Sequence, residues 1–283
     1  MRSALILAGG GYVASSWEIG LITGMAEVGV DVRNADLFVG TSAGARVALD
    51  LTSGMALDEI YQRRVGTEMP LLHPPAMVDW SRLRAGVEAA KQAGGSPAEI
   101  LRRYGALALT SAVETGSDRR RIVASQLPLQ VWPKQRVLIT AVNAETGERR
   151  AFERDSGIDL VDAILATTAS FGSPPMFFEG QHYIDGGYHS GDNADLAIGS
   201  ERVLILSLRA PPEAMRLIPL ECAVAALQAA GAQVEVIHPD EQTLAALVKT
   251  GGPMNPASGR SAAVAGRLQG QRSAVKRIAS FWR

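Results

Sequence analysis

Three short stretches carry groups whose types and spacing could do acyl chemistry: Gly9-Gly10-Gly11, Gly40-Thr41-Ser42-Ala43-Gly44 and Asp185-Gly186-Gly187. The pentapeptide GTSAG has the form G-x-S-x-G, a sharp strand-to-helix turn that holds a serine hydroxyl proud of a sheet. Its flanking glycines, Gly40 and Gly44, permit close backbone approach. A helix starting after Ser42 would point its positive end at an oxygen that becomes an anion. Small-residue turns between a strand and a helix are common, so the pentapeptide alone is also compatible with a purely structural turn.

A serine nucleophile needs a base and an oxyanion stabiliser. Of the four histidines, His182 and His189 flank the Asp185 motif and His238 lies late in the chain beside acids. With His73, they read as surface groups or groups one layer behind a site. Asp185 is the alternative base. It ends the strand-like "HYI" and is followed by Gly186 and Gly187, which leaves its carboxylate without bulky neighbours. Asp-Gly is also a frequent turn dipeptide, so a plain turn residue is the competing reading. The triple glycine supplies the third part, because a glycine loop opening a helix offers backbone N–H groups to an anion.

The elements that must position these groups follow from the apolar pattern. "SALILA" reads as a strand, a helix-like segment runs from about Ser15 to Gly29, "DLFV" is a second strand, and a helix follows from Ala43 to about Gly54. "RVLIT" and "RVLILSL" supply two further strands. Strands alternating with helices predict an α/β fold with a mostly parallel central sheet covered by helices on both faces. The expectation is one domain over 1–283, with a helical insertion at about 57–133 and a basic C-terminal helical tail at about 257–283. Breaks at "LLHPPAMVDW" and "QLPLQVWP" interrupt the insertion, and "TGGPMNPASG" reads as a loop.

Taken in this order, the GGG loop after an N-terminal strand, the GTSAG elbow about 30 residues later and the DGG beyond mid-chain resemble the patatin-like phospholipases, acyl hydrolases that use a Ser-Asp dyad. "VNAETGERRAF" and "ILATTASFGSPPMFFEGQHYIDGG" extend the resemblance over most of residues 4–197. It implies a patatin-like fold, Ser42 as nucleophile, Asp185 as general base and Gly9, Gly10 and Gly11 as the oxyanion loop. It implies no metal and no organic cofactor, and a lipid or other acyl ester as substrate. One departure is visible, because many members carry Arg or Lys and then Gly after the triple glycine, where this chain has Tyr12, Val13 and Ala14.

Composition bounds the alternatives. The chain has 283 residues, 47% of them hydrophobic and 20% charged, with a formal net charge of -1, which argues against a nucleic-acid partner. A single cysteine, Cys222, excludes an internal disulfide and a thiolate metal cluster. The apolar run after Arg2 is too short for a signal peptide and no stretch is long enough to span a bilayer, so the expected location is cytoplasmic, with peripheral membrane contact as the variant.

Two rival functions stay open. Gly9, Gly11 and Ala14 fit a dinucleotide-binding glycine pattern with Asp31 about 20 residues on, and a non-catalytic lipid-binding protein would keep the same fold. The tail raises a separate question. From Thr243 to Arg283 there are seven basic residues and no acidic one, while Val264, Leu268, Val275, Ile278 and Trp282 fall on one helical stripe. Either the stripe docks on the body, or the helix lies on anionic lipid. Arg119-Arg120-Arg121 reads as a solvated face.

Overall fold

The structure, a computed structural model, describes residues 2–66, 79–111, 118–170, 172–208, 216–248, 255, 257–272 and 276–282. The chain begins with alternating strand and helix: β1 (Ser3–Leu7), α1 (Gly11–Glu27), β2 (Leu37–Gly40) and α2 (Ala43–Thr52). Four helices follow, α3 (Leu57–Val65), α4 (Trp80–Gln92), α5 (Pro97–Ser111) and α6 (Arg119–Gln126). Next come β3 (Arg136–Asn143), β4 (Arg149–Phe152), α7 (Leu160–Thr167), β5 (Met176–Phe178), β6 (Gln181–Asp185) and β7 (Arg202–Leu206). The chain continues as α8 (Leu220–Ala229), β8 (Gln233–Ile237), α9 (Glu241–Val248), α10 (Ser258–Gly270) and α11 (Lys276–Trp282).

One eight-stranded sheet joins these elements along the path β5-β6-β3-β2-β1-β7-β8, with β4 also pairing β3. The five strands from β3 to β8 on that path run parallel, and β4, β5 and β6 enter antiparallel. The apolar runs of β1 and β7 are unbroken because both faces of the sheet are covered. Leu5, Leu7, Phe38, Ile139, Leu204 and Leu206 join a core with α1, α2 and α7. The alternate residues Ala4, Ile6, Val39, Leu138, Val203 and Ile205 pack with Ala223 and Leu227 of α8. Helices α4 and α5 cover the far end of β3 and β6 through Leu83, Val87, Leu101 and Tyr104 against Val142 and Ile184. The expected α/β fold with a mostly parallel sheet is present.

Several expectations change in detail. Helix α1 starts at Gly11 rather than near Ser15, so the glycine loop itself forms its first turn. The tail is two helices, and its stripe is inverted on the first. Val264 and Leu268 are exposed, whereas Ala262, Ala263 and Gly266 are buried against α1. A Cβ on Gly20 would overlap the Ala263 carbonyl oxygen, and one on Gly266 would overlap that of Trp17. Two backbones this close leave no room for large side chains between them, so valine and leucine turn outward. On α11 the stripe holds, with Ile278 and Trp282 buried, and the Trp282 indole N–H donates to Asn34 Oδ1 at 2.8 Å. Val275, "TGGPMNPASG" apart from Asn255, Ala257, Ser258 and Gly259, and most of "LLHPPAMVDW" lie outside the described residues.

The arginine run is also less solvated than expected. Arg119 is buried and donates to the carbonyls of Pro174 (2.7 Å) and Leu165 (3.4 Å). Burial pushes its guanidinium down to about 10. Arg120 and Arg121 remain exposed but paired, Arg120 with Asp159 and with Asp162 of α7, each at 2.8 Å, and Arg121 with Asp118 at 2.9 Å.

Candidate active site

The sheet register brings the two expected side-chain motifs together. On β3, Ile139 has Gly40 of β2 on one side and Phe152 of β4 on the other. Two residues on, Ala141 has Asp185 of β6 on one side and Arg150 of β4 on the other. A strand has only two edges, so β2 and β6 share the one opposite β4, laid end to end and pointing toward each other. Their tips are separated by a single β3 residue, Thr140. Ser42 leaves one tip and Asp185 closes the other.

At the β2 tip the chain turns abruptly into α2. A Cβ on Gly40 would meet the Ala45 backbone, and one on Gly44 would overlap the Leu7 carbonyl, so α2 is pressed onto the ends of β1 and β2. The turn puts Ser42 at φ 53°, ψ -117°, a strained conformation for a residue with a side chain. Its N–H donates to Thr167 Oγ1 on α7 at 2.9 Å. The serine is half-buried and its neighbours Thr41 and Ala43 are buried.

At the β6 tip Asp185 is buried, with its Oδ1 accepting from the Gly187 N–H at 2.8 Å. Burial pushes its carboxyl up to about 6, opposed by the Gly187 N–H, by a hydrogen bond from the Ser42 side chain and by the charge of Arg216. Gly186 fits because it lies on Thr140, whose Oγ1 a Cβ would overlap.

The glycine loop completes the site from β1. A Cβ on Gly9 would sit 3.3 Å from the Ser42 Cβ, so the loop lies directly against the serine. The Gly9 N–H donates to the Gly191 carbonyl at 2.9 Å. The Gly9 N–H is therefore already engaged. Gly10 (φ 156°) and Gly11 (φ 67°) adopt conformations that side chains resist. Their N–H groups take no partner among the described residues, as the first turn of a helix requires.

Four residues that sequence reasoning did not single out hold this arrangement. Asn193, at φ 50°, places Nδ2 2.7–3.3 Å from Ser190 O, Thr41 Oγ1, Thr140 Oγ1 and Gly186 O. It thus ties the serine strand, β3 and the aspartate loop. Thr41 Oγ1 and Thr140 Oγ1 are themselves 3.1 Å apart. Arg216 Nη2 donates to the Gly9 carbonyl at 3.3 Å, which brings a cation to a loop whose own sequence has none. None of these has a local signature, since each acts through a pairing distant in sequence.

None of the described histidines is bonded to Ser42 or Asp185. His182 Nδ1 lies 2.6 Å from Glu145 Oε1, and His238 Nδ1 lies 2.8 Å from the Ser207 carbonyl. His189 contacts Asn193 Oδ1 at 3.2 Å, and burial, then Arg149, hold its imidazole below the usual range. His73 lies outside the described residues. Asp31, the acid a dinucleotide site would need, falls between α1 and β2, at the opposite end of the sheet from Gly10. It is paired there with Arg33 at 2.6 Å. Among the described residues no group of three or more His, Cys, Asp or Glu side chains could hold a metal ion. A groove of about 260 Å³ between α8 and β8, lined by Leu220, Val224, Val236 and His238, contains neither Ser42, Asp185 nor the glycine loop.

A search among curated proteins finds no match. Among solved structures, VipD from Legionella pneumophila aligns with TM-score 0.46 and 12% identity over 95% of this chain and 66% of its own. The type III effector ExoU aligns with TM-score 0.41 and 16% identity over 95% and 53%. Human GIVD cytosolic phospholipase A2, in complex with methyl γ-linolenyl fluorophosphonate, aligns with TM-score 0.44 and 12% identity over 99% and 58%. This chain thus spans about two thirds or less of each of these chains. The patatin-like phospholipase family model matches residues 5–198, well over half of the sequence and a span that takes in all three motifs, and the chain belongs to that family.

Proposed function

We propose that the chain hydrolyses acyl esters of lipids by acyl transfer through Ser42. The observation that carries this reading is the meeting of two strand tips across Thr140, which sets a strained serine against a buried aspartate, beside a glycine loop with two N–H groups that take no partner among the described residues. In the first step Asp185 accepts the Ser42 proton as Oγ attacks the ester carbonyl. The oxyanion is held by the N–H groups of Gly10 and Gly11, reinforced by the positive end of α1. Asp185 then gives its proton to the leaving alcohol. In the second step the same carboxylate takes a proton from water as it attacks the acyl-serine, and returns that proton to Ser42 Oγ as the acid leaves. Burial serves this cycle, because a carboxyl near 6 holds a proton more readily than one at the usual value of about 4.

The test is hydrolysis of p-nitrophenyl butyrate and of phosphatidylcholine vesicles, with fluorophosphonate labelling located by mass spectrometry. Wild type should turn over ester and label at Ser42, and Ser42→Ala should do neither. Ester turnover by Ser42→Ala would overturn the mechanism, and vesicle binding by an inert wild type would favour a lipid-binding protein. Association with an anionic bilayer is a separate proposal, supported by exposed Arg260, Val264 and Leu268 on one face of α10. Part of the tail's charge is already engaged, because Arg267 pairs with Glu27 and Arg272 with Asp240. No helix among the described residues is long and apolar enough to cross a membrane.

A further inference from the structure

The Gly9–Gly10 peptide carries the Gly9 carbonyl and the Gly10 N–H. A trans peptide plane holds these two groups antiparallel, so whatever fixes the carbonyl also fixes the direction of the donor. Left to itself this plane is soft, since neither residue that it joins, Gly9 or Gly10 at φ 156°, has a Cβ to resist rotation. Arg216 grips it from behind. Its Nη2 donates to the Gly9 carbonyl at 3.3 Å, and its guanidinium packs against Gly191, where a Cβ would overlap it. Gly191 in turn accepts the Gly9 N–H at 2.9 Å, so both peptide planes flanking Gly9 are held. The arginine has a fixed origin as well. Leu217 N–H donates to Tyr188 O at 3.1 Å and Ile218 N–H to His189 O at 2.8 Å, while Lys91 Nζ of α4 reaches the Arg216 carbonyl at 3.3 Å. Tyr188 and His189 directly follow the Asp185 motif, so the arginine is registered on the segment that carries the base.

We propose that Arg216 is a positioning residue that, by holding the Gly9 carbonyl, aims the Gly10 N–H at the oxyanion formed on Ser42. The inference rests on the acyl-transfer reading of the site. A simple tether would leave the chemistry of the base alone, whereas this arginine also lies close enough to lower the Asp185 carboxyl.

The test compares full-length wild type, Arg216→Ala and Arg216→Lys by kinetics on p-nitrophenyl butyrate, by the pH dependence of kcat, and by crystal structures. Loss of one oxyanion donor costs about a hundred- to a thousandfold, and a misaimed donor should cost Arg216→Ala about ten- to a hundredfold in kcat. KM should stay within about threefold, as for an interaction made only in the transition state. Arg216→Lys should recover part of kcat, and the acid limb of Arg216→Ala should move to higher pH because a cation beside Asp185 is gone. Its crystal structure should show the Gly9 carbonyl rotated away from its wild-type direction. Unchanged kcat, or an unmoved Gly9–Gly10 peptide, would overturn the proposal. An inert wild type would instead overturn the acyl-transfer reading, and the direction of the peptide in the two crystals would still decide what Arg216 holds.

Discussion

Glycine is used twice in this molecule, for opposite purposes. Around the candidate site Gly10 and Gly11 occupy φ values that expose backbone donors, next to a strained serine and an ionisable group held out of water. Between α1 and α10, Gly20, Gly24, Gly266 and Gly270 are helical, and their hydrogens face carbonyl oxygens or backbone of the other helix. The first set takes conformations open to glycine and resisted by other residues, and so turns backbone donors outward. The second removes bulk so that two helices can approach, and leaves nothing strained. The difference teaches that the same residue type marks function in one place and stability in the other, and that mutation should separate them.

The largest effects should fall on activity alone. Ser42→Ala should lower kcat by about ten-thousandfold or more with no loss of stability, as expected for a member of a catalytic unit. Asp185→Asn should lose a comparable amount and gain stability, which a urea titration can check. A folded carboxyl near 6 against about 3.9 unfolded means that the folded state binds the proton more tightly. The stability this group contributes is therefore complete below about pH 4 and lost as pH rises through about 6. At pH 7.5 the variant should be more stable than wild type by about 1–3 kcal/mol, and the gap should close below pH 4. An Asp185→Asn protein no more stable at pH 7.5 would contradict the burial assigned to the carboxylate.

Next in size are changes in the helix pair. Gly20→Ala or Gly266→Ala gains helix propensity, but the new methyl overlaps a backbone carbonyl that cannot move without moving its helix. Overpacking should win, with a loss of about 1–3 kcal/mol by thermal or urea unfolding and unchanged kcat in the folded fraction. A matching fall in kcat would erase the distinction between the two glycine sets.

A smaller effect sharpens the electrostatic half of the comparison. The acid limb of kcat/KM should lie near pH 6, set by Asp185. The same limb should persist in His189→Gln and His182→Gln, because the two imidazoles contact Asn193 and Glu145 rather than Ser42 or Asp185, and its disappearance in either variant would assign the base to histidine. Smallest of all should be Val264→Ser. It lies on the outer face of α10, 42% exposed, and should change stability by less than about 0.5 kcal/mol. Sedimentation with anionic vesicles would show whether that face has another use.

Much of the site is legible in the sequence because its parts are local. The apolar runs of β1, β2, β3 and β7, and the small residues after them, announce each turn within a few positions. What is hidden depends on distant pairing. The short β4, "RRAF", and β5, "MFF", carry no alternation long enough to be recognised, and β8 has one half-buried glutamate in five residues. The return of β6 onto the edge of β3 already used by β2 has no local sign at all. Asn193 and Arg216 escape for the same reason, since one looks like a turn asparagine and the other like a loop arginine. The inverted stripe on α10 has a different cause: a periodicity that weights large apolar residues points away from an interface built from glycine and alanine.

The end-to-end placement of β2 and β6 makes β3 a ruler. The separation of serine and aspartate is marked off along a single strand, from Ile139 to Ala141, rather than across the long excursion of chain that joins them. That excursion can lengthen, shorten or be rewritten without altering the spacing, provided both tips still find the same strand. A slip of either tip by one residue would shift its group by about 3.3 Å and turn it to the other face of the sheet. Changes in the length of the segments that connect the two tips thus leave the spacing alone, whereas a change of register along these three residues of β3 alters it.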